Sequence, residues 1–600
     1  GTTVSAAYDT FGRMTNISFS GRTWSYQYDA IGRVTNLVAP EGAYRFAYLQ
    51  QGMRKTFVRY PNGVEAALTY DGWTRLTNLA CSAGGTSRLS IAYAYDMDDR
   101  RTNETWDSGR NMAYAYDGAH QVTGSSSTNR ASDNAAYRYD AAGNPLRRTE
   151  AGLGVTNGFN NLNQIVSGVW TGGAITVAGS VNYNAGTVTV NGAVADRFGL
   201  FYERSGVSLS EGTNILTAVY RGPAFANTAM VATSIAEVVV GATAYSHDAN
   251  GNLIGDANFA YQYDAQNRLT NIARKADGVS ILANRYDGTG RRVEAVRETG
   301  TERYVYFPGS FLVLAVLDGS SNVKEVFTHG PDLSGSLGGA GGIGGILAQT
   351  AGAAGPDTHY LHPDAMGNVV MTTDASGQTS STVHYGPFGR ILARSGEFQS
   401  RYLFSSKEWE AAAGLSYYGY RYYSPALGRW ISRDPIEESG ENNLVMFVAN
   451  RPIAHIDFLG LRKKKVSDCC GVKKYNPKSQ CCEYDIPVDK VPIWICRRKL
   501  ANVFPKLHPV SHTFVCCKAP SSNNRENTEC YGKQPTWGII IIDRGIIRKE
   551  EPGVDVTDCS MEMVCPFDKE RQCKEGPTKA PYAIWHPNLN CHGWGNRRSR

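Results

Sequence analysis

Two aspartates and an arginine between residues 420 and 461 are the side chains whose types best fit acid–base chemistry. Asp434 and Asp457 are carboxyl groups that a fold could bring together, and Arg429 comes shortly before the first of them. Two carboxyl groups that share one proton can activate water, and a guanidinium can orient or neutralise one of them. Alternatively, Asp434 forms a turn before Pro435 and pairs with Arg429. The residues thus predict either a hydrolytic carboxyl pair or a salt-bridged turn.

A thiol near the C-terminal end is a second chemical candidate. Residues 590–594 are Asn-Cys-His-Gly-Trp, and this pattern resembles the nucleophile segment of circularly permuted papain-like hydrolases. The resemblance implies Cys591 as the nucleophile, with its pKa lowered at a helix N-terminus, and His512 as the base, with His508 as its substitute. The alternatives are a disulfide that ends at Cys591 and other chemistries, including a nuclease that uses the basic surface.

Cysteine content and charge both divide the chain near residue 461. Of the 13 cysteines only Cys81 precedes this point, and the others lie between Cys469 and Cys591. Residues 462–600 hold 25 Lys and Arg against 15 Asp and Glu, whereas the residues before them hold 36 against 40. Adjacent cysteine pairs, with no clean Cys-x-x-Cys, favour disulfides over zinc. The sequence therefore predicts a disulfide-bonded, basic domain and no metal or cofactor.

Length and hydropathy set the broad class. A chain of 600 residues exceeds what one core supports, so several structural units are expected. The 64 Gly and 34 Tyr indicate many turns and strands. No apolar run is long enough to span a membrane. The first residue is Gly1, without an initiator Met or a signal segment, which indicates a fragment whose targeting signals lie upstream.

A nine-residue pattern recurs through the first half of the chain. Its clearest copies start at Tyr8 and Tyr28 and read Tyr-Asp-x-x-Gly-Arg-x-Thr-Asn. Aromatic residues alternate before each turn, Asp caps the turn, Gly supplies a positive φ, and Arg opens the return strand. Each copy predicts a β-hairpin, and hairpins that pair side by side form a long sheet. Degenerate copies start at Tyr70, Tyr95, Tyr116, Tyr139, Tyr263 and Tyr286.

These copies resemble the YD-repeat, or RHS-repeat, proteins of bacteria, which share their repeat type with insect-toxin complex C subunits and teneurins. The resemblance covers residues 1–157 and 242–332 and implies a hollow β shell that encloses a C-terminal toxin. Between them, residues 158–241 alternate like strands and resemble an inserted immunoglobulin-like β-sandwich. It would decorate the shell or, as the alternative, bind carbohydrate. Residues 333–355 are Gly-rich and predict a flexible linker.

Residues 356–461 resemble the RHS repeat-associated core domain almost motif for motif. The resemblance rests on segments 419–423 (Gly-Tyr-Arg-Tyr-Tyr), 428–435 (Gly-Arg-Trp-Ile-Ser-Arg-Asp-Pro) and 457–461 (Asp-Phe-Leu-Gly-Leu). It implies a plug for the shell that cuts its own chain between Leu461 and Arg462. Phe458 departs from the family pattern, which has Pro there. Phe frees the φ angle, so the geometry at the cut differs from the family's.

The sequence thus predicts a mainly β chain with an inserted sandwich and a cysteine-rich α+β domain at residues 462–600. The favoured function is a polymorphic toxin that frees its effector by self-cleavage. The alternative is a cell-surface adhesion or structural protein with an inert disulfide-bonded cap, which has no use for cleavage. A toxin implies a secreted or cell-surface location, an immunity protein and a secretion-system or surface partner. No nucleic-acid partner and no membrane span are predicted.

Overall fold

In the computed structural model the chain divides into two compact units, residues 1–467 and 468–600. The first unit is described over residues 3–465 except 51, 172, 223–230, 353–356, 438–441 and 462, and in the second unit only separate strands are described. The described part of the first unit consists mainly of strands, and the described residues of the second unit are strands as well. The mainly β class predicted from the sequence is confirmed.

The repeats form one antiparallel sheet of 17 strands. Consecutive strands β1 to β16 pair with each other, and β24 pairs with β16. The strands are β1 Val4–Tyr8, β2 Met14–Phe19, β3 Arg22–Tyr28, β4 Val34–Ala39, β5 Gly42–Tyr48, β6 Lys55–Arg59, β7 Val64–Tyr70, β8 Leu76–Ala83, β9 Thr86–Tyr95, β10 Arg101–Trp106, β11 Asn111–Tyr116, β12 Val122–Ser126, β13 Ala135–Tyr139, β14 Pro145–Glu150, β15 Leu153–Phe159, β16 Ile165–Thr171 and β24 Ala242–Ala244. A 3-10 turn, Ala131–Asp133, follows β12.

The turn between β3 and β4 explains the repeated motif. Oδ1 of Asp29 accepts the N–H groups of Ile31 and Arg33, and its Oδ2 accepts Nε–H of Arg33 at 2.6 Å. The Arg33 guanidinium then lies over the Tyr48 ring of the following repeat, 4.9 Å from its centroid. The Tyr48 hydroxyl in turn donates to the carbonyl of Val34 at 2.6 Å. Asp therefore builds the turn, while Arg and Tyr join one hairpin to the next.

A second meander of 14 antiparallel strands follows the insertion. It extends past residue 332 because the Asp-capped turn recurs there, as at Asp364, whose Oδ1 accepts the N–H groups of Met366 and Asn368. The strands are β25 Ser246–His247, β26 Leu253–Gly255, β27 Phe259–Tyr263, β28 Leu269–Arg274, β29 Ser280–Tyr286, β30 Arg292–Arg297, β31 Gly300–Tyr306, β32 Val313–Asp318, β33 Val323–His329, β34 Ile346–Ala351, β35 Thr358–Pro363, β36 Val369–Thr373, β37 Thr379–Tyr385 and β38 Ile391–Gly396.

Buried faces of the two long sheets contact each other. Trp24 donates its indole N–H to the Thr328 hydroxyl at 2.8 Å. The hydroxyl of Tyr26 donates to the carbonyl of His329 at 2.9 Å. One apolar cluster contains residues of both sheets, including the fully buried Ile17 and Leu314. The alternating aromatic positions of the repeats thus form the core between the sheets.

The inserted module starts later than the sequence predicted. Residues 158–171 belong to the 17-stranded sheet, since β15 and β16 pair there around a turn in which Asn160 replaces the usual Asp. The module consists of a three-stranded and a four-stranded sheet, which pack through a cluster that includes Val188, Tyr202 and Tyr220. Its strands are β17 Ala174–Ser180, β18 Thr187–Val190, β19 Ala193–Val194, β20 Asp196–Phe198, β21 Phe201–Ser208, β22 Gly212–Arg221 and β23 Val231–Val240.

The Gly-rich segment is not the flexible linker that the sequence predicted at residues 333–355. Ile343 and Leu347 are buried, and Ile346–Ala351 is strand β34 of the second sheet. Buried Asp332 fixes the preceding loop, because its carboxylate accepts the N–H groups of Ser334, Ala340 and Gly342. Glycine composition here reflects tight packing of the backbone and not chain freedom.

After the second sheet, the described residues between 397 and 465 form short strands and turns that contact both sheets. Asn443 donates to Asn144 of the first sheet at 2.8 Å. Glu408 and Glu410 both pair with the buried Arg292 of the second sheet. The elements are two 3-10 turns, Phe404–Ser406 and Val448–Asn450, and strands β39 Glu408–Glu410, β40 Leu415–Tyr417, β41 Tyr422–Ser424, β42 Arg429–Trp430, β43 His455–Asp457 and β44 Lys463–Lys465.

The described strands of the second unit include a five-stranded sheet in the order β52-β49-β48-β47-β53. The strands of this unit are β45 Gln480–Glu483, β46 Ile486–Asp489, β47 Val491–Lys499, β48 Ser511–Cys516, β49 Cys530–Gly532, β50 Pro535–Thr536, β51 Ile539–Ile540, β52 Arg548–Lys549 and β53 Asp558–Val564.

Candidate active site

One arginine brings the two predicted aspartates together. Nη2 of Arg421 lies 2.7 Å from Oδ2 of Asp434 and 3.4 Å from Oδ2 of Asp457. All three side chains are buried. Arg421 precedes β41, Asp434 follows β42, and Asp457 ends β43, so three short segments each supply one member. A buried guanidinium between two carboxylates holds both in fixed positions.

The backbone also fixes each member of this trio. Arg421 donates from Nε to the carbonyl of Gly460 and from Nη1 to the carbonyl of Leu444, the latter at 3.1 Å. The backbone N–H of Asp434 donates to the same Leu444 carbonyl at 3.0 Å. The Trp430 ring lies 4.2 Å from the guanidinium carbon of Arg421. The arginine is thus held by carbonyls and an aromatic face as well as by the carboxylates.

Asp457 shapes the turn that leads to the predicted cut. Its Oδ1 accepts the N–H of Gly460 at 2.8 Å and that of Leu461 at 2.9 Å. Gly460 has φ +77°, and an added Cβ would lie 3.2 Å from Cβ of Arg421, so a side chain has little room there. After the turn the chain reverses, because β44 pairs with β43 and sets Lys463 opposite Asp457. Leu461 therefore lies at the end of a turn that the Asp457 carboxylate caps.

Burial shapes the electrostatics of the trio. It raises the pKa of Asp434 to about 6, although Arg421 and two hydrogen bonds act in the opposite direction. Burial lowers the pKa of Arg421, which the charges of Asp457 and Asp434 oppose. A carboxyl group with a pKa near 6 can take up and release a proton near neutral pH. Asp434 is therefore the member of the trio that is suited to proton transfer.

The structure gives Arg421, not Arg429, the contacts with the two carboxylates. Arg429 donates from Nη2 to the carbonyl of Asn163 at 2.7 Å and to the side chain of Asn144 at 3.3 Å. Its guanidinium lies over the Phe159 ring, and burial lowers its pKa to about 9. Arg429 thus ties β42 to two turns of the first sheet. The sequence signal for Arg421 was its place in the motif Gly-Tyr-Arg-Tyr-Tyr at residues 419–423.

The second candidate site falls mostly outside the described residues. His512 lies in β48, where the backbone register sets it opposite Arg498 of β47. Cys591, His508 and Arg462 lie outside the part of the chain that the structure describes. Within the described part, no group of His, Cys, Asp and Glu side chains is arranged to hold a metal ion. No described helix is long and apolar enough to cross a membrane.

Comparison with known proteins identifies the repeat. Residues 8–44 match the family model of the RHS repeat, so the chain contains an RHS repeat. Among curated proteins, the tRNA3(Ser)-specific nuclease WapA of Bacillus spizizenii is 27% identical over 219 residues, which are 35% of this chain and 9% of WapA. Toxin subunit YenC1 of Yersinia entomophaga is 29% identical over 249 residues, which are 37% of this chain and 25% of YenC1.

The solved TcdB2–TccC3 structure matches with a TM-score of 0.32 and 16% identity, covering 76% of this chain and 28% of that one. The chain spans at most a quarter of the two curated relatives' own lengths.

Proposed function

We propose that this chain is part of an RHS-repeat polymorphic toxin whose first unit cuts the chain after Leu461 and frees residues 462–600 as the effector. The observation that carries the proposal is the trio of Arg421, Asp434 and Asp457, in which Asp457 also binds the N–H of Leu461. The similarity to a toxin subunit and to a tRNA-specific nuclease supports the same class. A β assembly enclosing the effector remains part of the proposal.

The proposed reaction is hydrolysis of one peptide bond. Water adds to the carbonyl carbon of Leu461, and the bond from that carbon to the nitrogen of Arg462 breaks. Ionised Asp434 takes a proton from the water and afterwards returns it to the leaving amine. Arg421 keeps both carboxylates in place, and Asp457 fixes the turn, so the bond is presented in one geometry. The products carry a new carboxyl group at Leu461 and a new amine at Arg462.

The test is to follow the full chain on denaturing gels and by intact mass. Wild type should yield fragments of residues 1–461 and 462–600, and Asp434→Asn should stay intact. Asp374→Asn is the control, because Asp374 also caps a turn, between β36 and β37, where its Oδ1 accepts two backbone N–H groups. It should cleave like wild type. An intact wild type, or two fragments from Asp434→Asn, would reject the proposal.

For the effector we propose thiol hydrolase chemistry, with Cys591 as nucleophile and His512 as base. It rests on the sequence pattern alone, and its substrate class stays open among proteins, peptidoglycan and acyl or amide compounds. Expression of residues 462–600 in a bacterium should arrest growth, and the Cys591→Ala variant should not. If both forms are toxic, the thiol mechanism is wrong. If neither is, the surface-protein alternative with an inert cap is favoured.

The toxin proposal carries two further expectations about the cell. A protein that makes such an effector needs an immunity protein against it, and delivery needs a secretion-system or surface partner. We therefore expect a secreted or cell-surface location. Co-purification of the intact Asp434→Asn chain from its natural host is the direct way to identify both partners.

A further inference from the structure

The Gly-rich loop 332–345 lies against the turn that carries the proposed cut. Gly341 has φ +62°, and an added Cβ there would overlap the carbonyl oxygen of Phe458. Apolar side chains also connect the loop with the turn, because Phe458 packs on a buried cluster that joins the loop to β43. The buried members of that cluster are Ala340, Ile343, Met366 and Ile456. Loop and turn are therefore in direct backbone contact.

A buried lysine connects the same two segments. Nζ of Lys407 donates to the carbonyl of Gly341 at 3.0 Å and to the carbonyl of Phe458 at 2.6 Å. Two carbonyl oxygens that face one another repel, and an ammonium group between them turns this repulsion into attraction. Asp332 holds the loop in the shape that presents the Gly341 carbonyl, through its bonds to the N–H groups of Ala340 and Gly342.

We propose that Lys407 is a positioning residue for self-cleavage, which clamps the turn 457–461 onto the Gly-rich loop. This inference rests on the proposed function. Lys407 holds the turn at Phe458, while Asp457 holds it at Gly460 and Leu461, so the segment before the cut is fixed from two sides. Burial lowers the pKa of Lys407 to about 8, and the charges of Asp457 and Asp332 counter that effect.

A second buried lysine that bonds to the Gly-rich loop provides a matched control. Nζ of Lys55 donates to the carbonyls of Pro331 and Gly344 at 2.5 and 3.4 Å. Burial lowers its pKa to about 8 as well. Lys55 lies in β6, and its hydrogen bonds go to the loop and not to the turn 457–461. Lys55→Met and Lys407→Met thus each remove a buried ammonium group that bonds to the loop, but only Lys407→Met also frees the turn 457–461.

Two measurements on the full chain test the proposal. The first is the cleavage rate during refolding, which Lys407→Met should reduce roughly a hundredfold because the bond is misplaced, while Lys55→Met stays near wild type and Lys407→Arg recovers part of the rate. The second is amide hydrogen exchange at Gly460 and Leu461 in the Asp434→Asn background. There Lys407→Met should speed exchange about tenfold and Lys55→Met should not.

Wild-type cleavage rates in Lys407→Met, or equal losses in both lysine variants, would overturn the clamp. Failure of the proposed function has a different signature, namely no cleavage in wild type or continued cleavage in Asp434→Asn. In that event the exchange experiment still tests whether Lys407 holds the turn 457–461, because it measures the protection of the Gly460 and Leu461 amides and does not require cleavage. Unchanged exchange at Gly460 and Leu461 in Lys407→Met would reject the clamp by itself.

Discussion

Nη2 of Arg421 lies 2.7 Å from Oδ2 of Asp434, and the two side chains are only 2% and 7% exposed. Removing one partner of a buried ion pair leaves the other charge uncompensated, which typically costs about 3–5 kcal/mol. The same guanidinium nitrogen also contacts Asp457. A substitution at Arg421 therefore affects both carboxylates of the proposed site at once.

The two arginines of this region can be told apart by a pair of lysine substitutions. Arg421→Lys keeps a positive charge but loses the fork that reaches two carboxylates and two carbonyls, so we expect cleavage to fall by roughly two orders of magnitude. Arg429→Lys disturbs contacts with Asn144, Asn163 and the Phe159 ring, and none of these involves a carboxylate of the site, so the rate should change much less. Fragment formation during refolding measures both. If Arg429→Lys reduced the cleavage rate more than Arg421→Lys does, Arg429 and not Arg421 would be the residue that orients the carboxylates.

The pH dependence of cleavage follows from the raised pKa of Asp434. A base must be ionised to accept a proton, and burial raises the pKa of this carboxyl to about 6. The rate should therefore rise with pH, by about tenfold per unit below pH 6, and level off above it. Asp364 has a pKa raised by burial to about 6 as well, but it caps a turn between β35 and β36. The Asp364→Asn variant should therefore show the same rise of the cleavage rate with pH as wild type. A wild-type cleavage rate that does not change with pH would contradict the role of Asp434 as the base.

Alanine variants of Gly460 and Gly414 distinguish the effect of steric crowding at the site from the energetic cost of a side chain at positive φ. Both have φ in the left-handed region, +77° and +65°. An added Cβ at Gly414 meets nothing within 4 Å, whereas one at Gly460 meets Cβ and N of Arg421 at 3.2 and 3.3 Å. Each alanine variant should lose about 1–2 kcal/mol of unfolding free energy. Only Gly460→Ala should also slow cleavage, and equal cleavage in the two variants would argue against a tight turn at the site.

The hairpins could be predicted because each repeat contains the residues of its own turn. The arginine of the site and the order of the Gly-rich loop depend on contacts between distant residues, which the sequence pattern does not reveal. The Tyr-Asp-x-x-Gly-Arg pattern contains its own turn, as Asp29 and Arg33 show. The turn at Asn160 lacks the Asp of the pattern, so the sequence did not predict a repeat there, and the predicted start of the insertion, residue 158, lies before the observed one. The choice between Arg421 and Arg429 depends on which strand faces which carboxylate, and spacing along the chain does not specify that. The Gly-rich segment was predicted to be a flexible linker because its order comes from long-range contacts, among them the buried carboxylate of Asp332 and the side chains of Lys55 and Lys407.

The hydroxyl of the repeat tyrosine is predicted to stabilise the sheet from one hairpin to the next. Tyr48 donates to the carbonyl of Val34 at 2.6 Å, and its ring receives the guanidinium of Arg33. Tyr48→Phe keeps the ring and loses the hydrogen bond, so it should cost about 1 kcal/mol. Tyr48→Leu also loses the cation–π contact, which adds about 0.5–1 kcal/mol.

The matched control for this prediction is Tyr8→Phe, because Tyr8 is 51% exposed in the edge strand β1. Urea unfolding of the full chain in the Asp434→Asn background gives the free energies without interference from cleavage. Tyr8→Phe should lie within about 0.5 kcal/mol of its parent, as surface substitutions usually do. The same hydroxyl-to-carbonyl bond recurs from Tyr28 to Met14 and from Tyr286 to Leu269, so Phe at those tyrosines should cost a similar amount. If Tyr8→Phe and Tyr48→Phe lose equal stability, the motif's Tyr acts through its ring alone and its hydroxyl does not join the repeats.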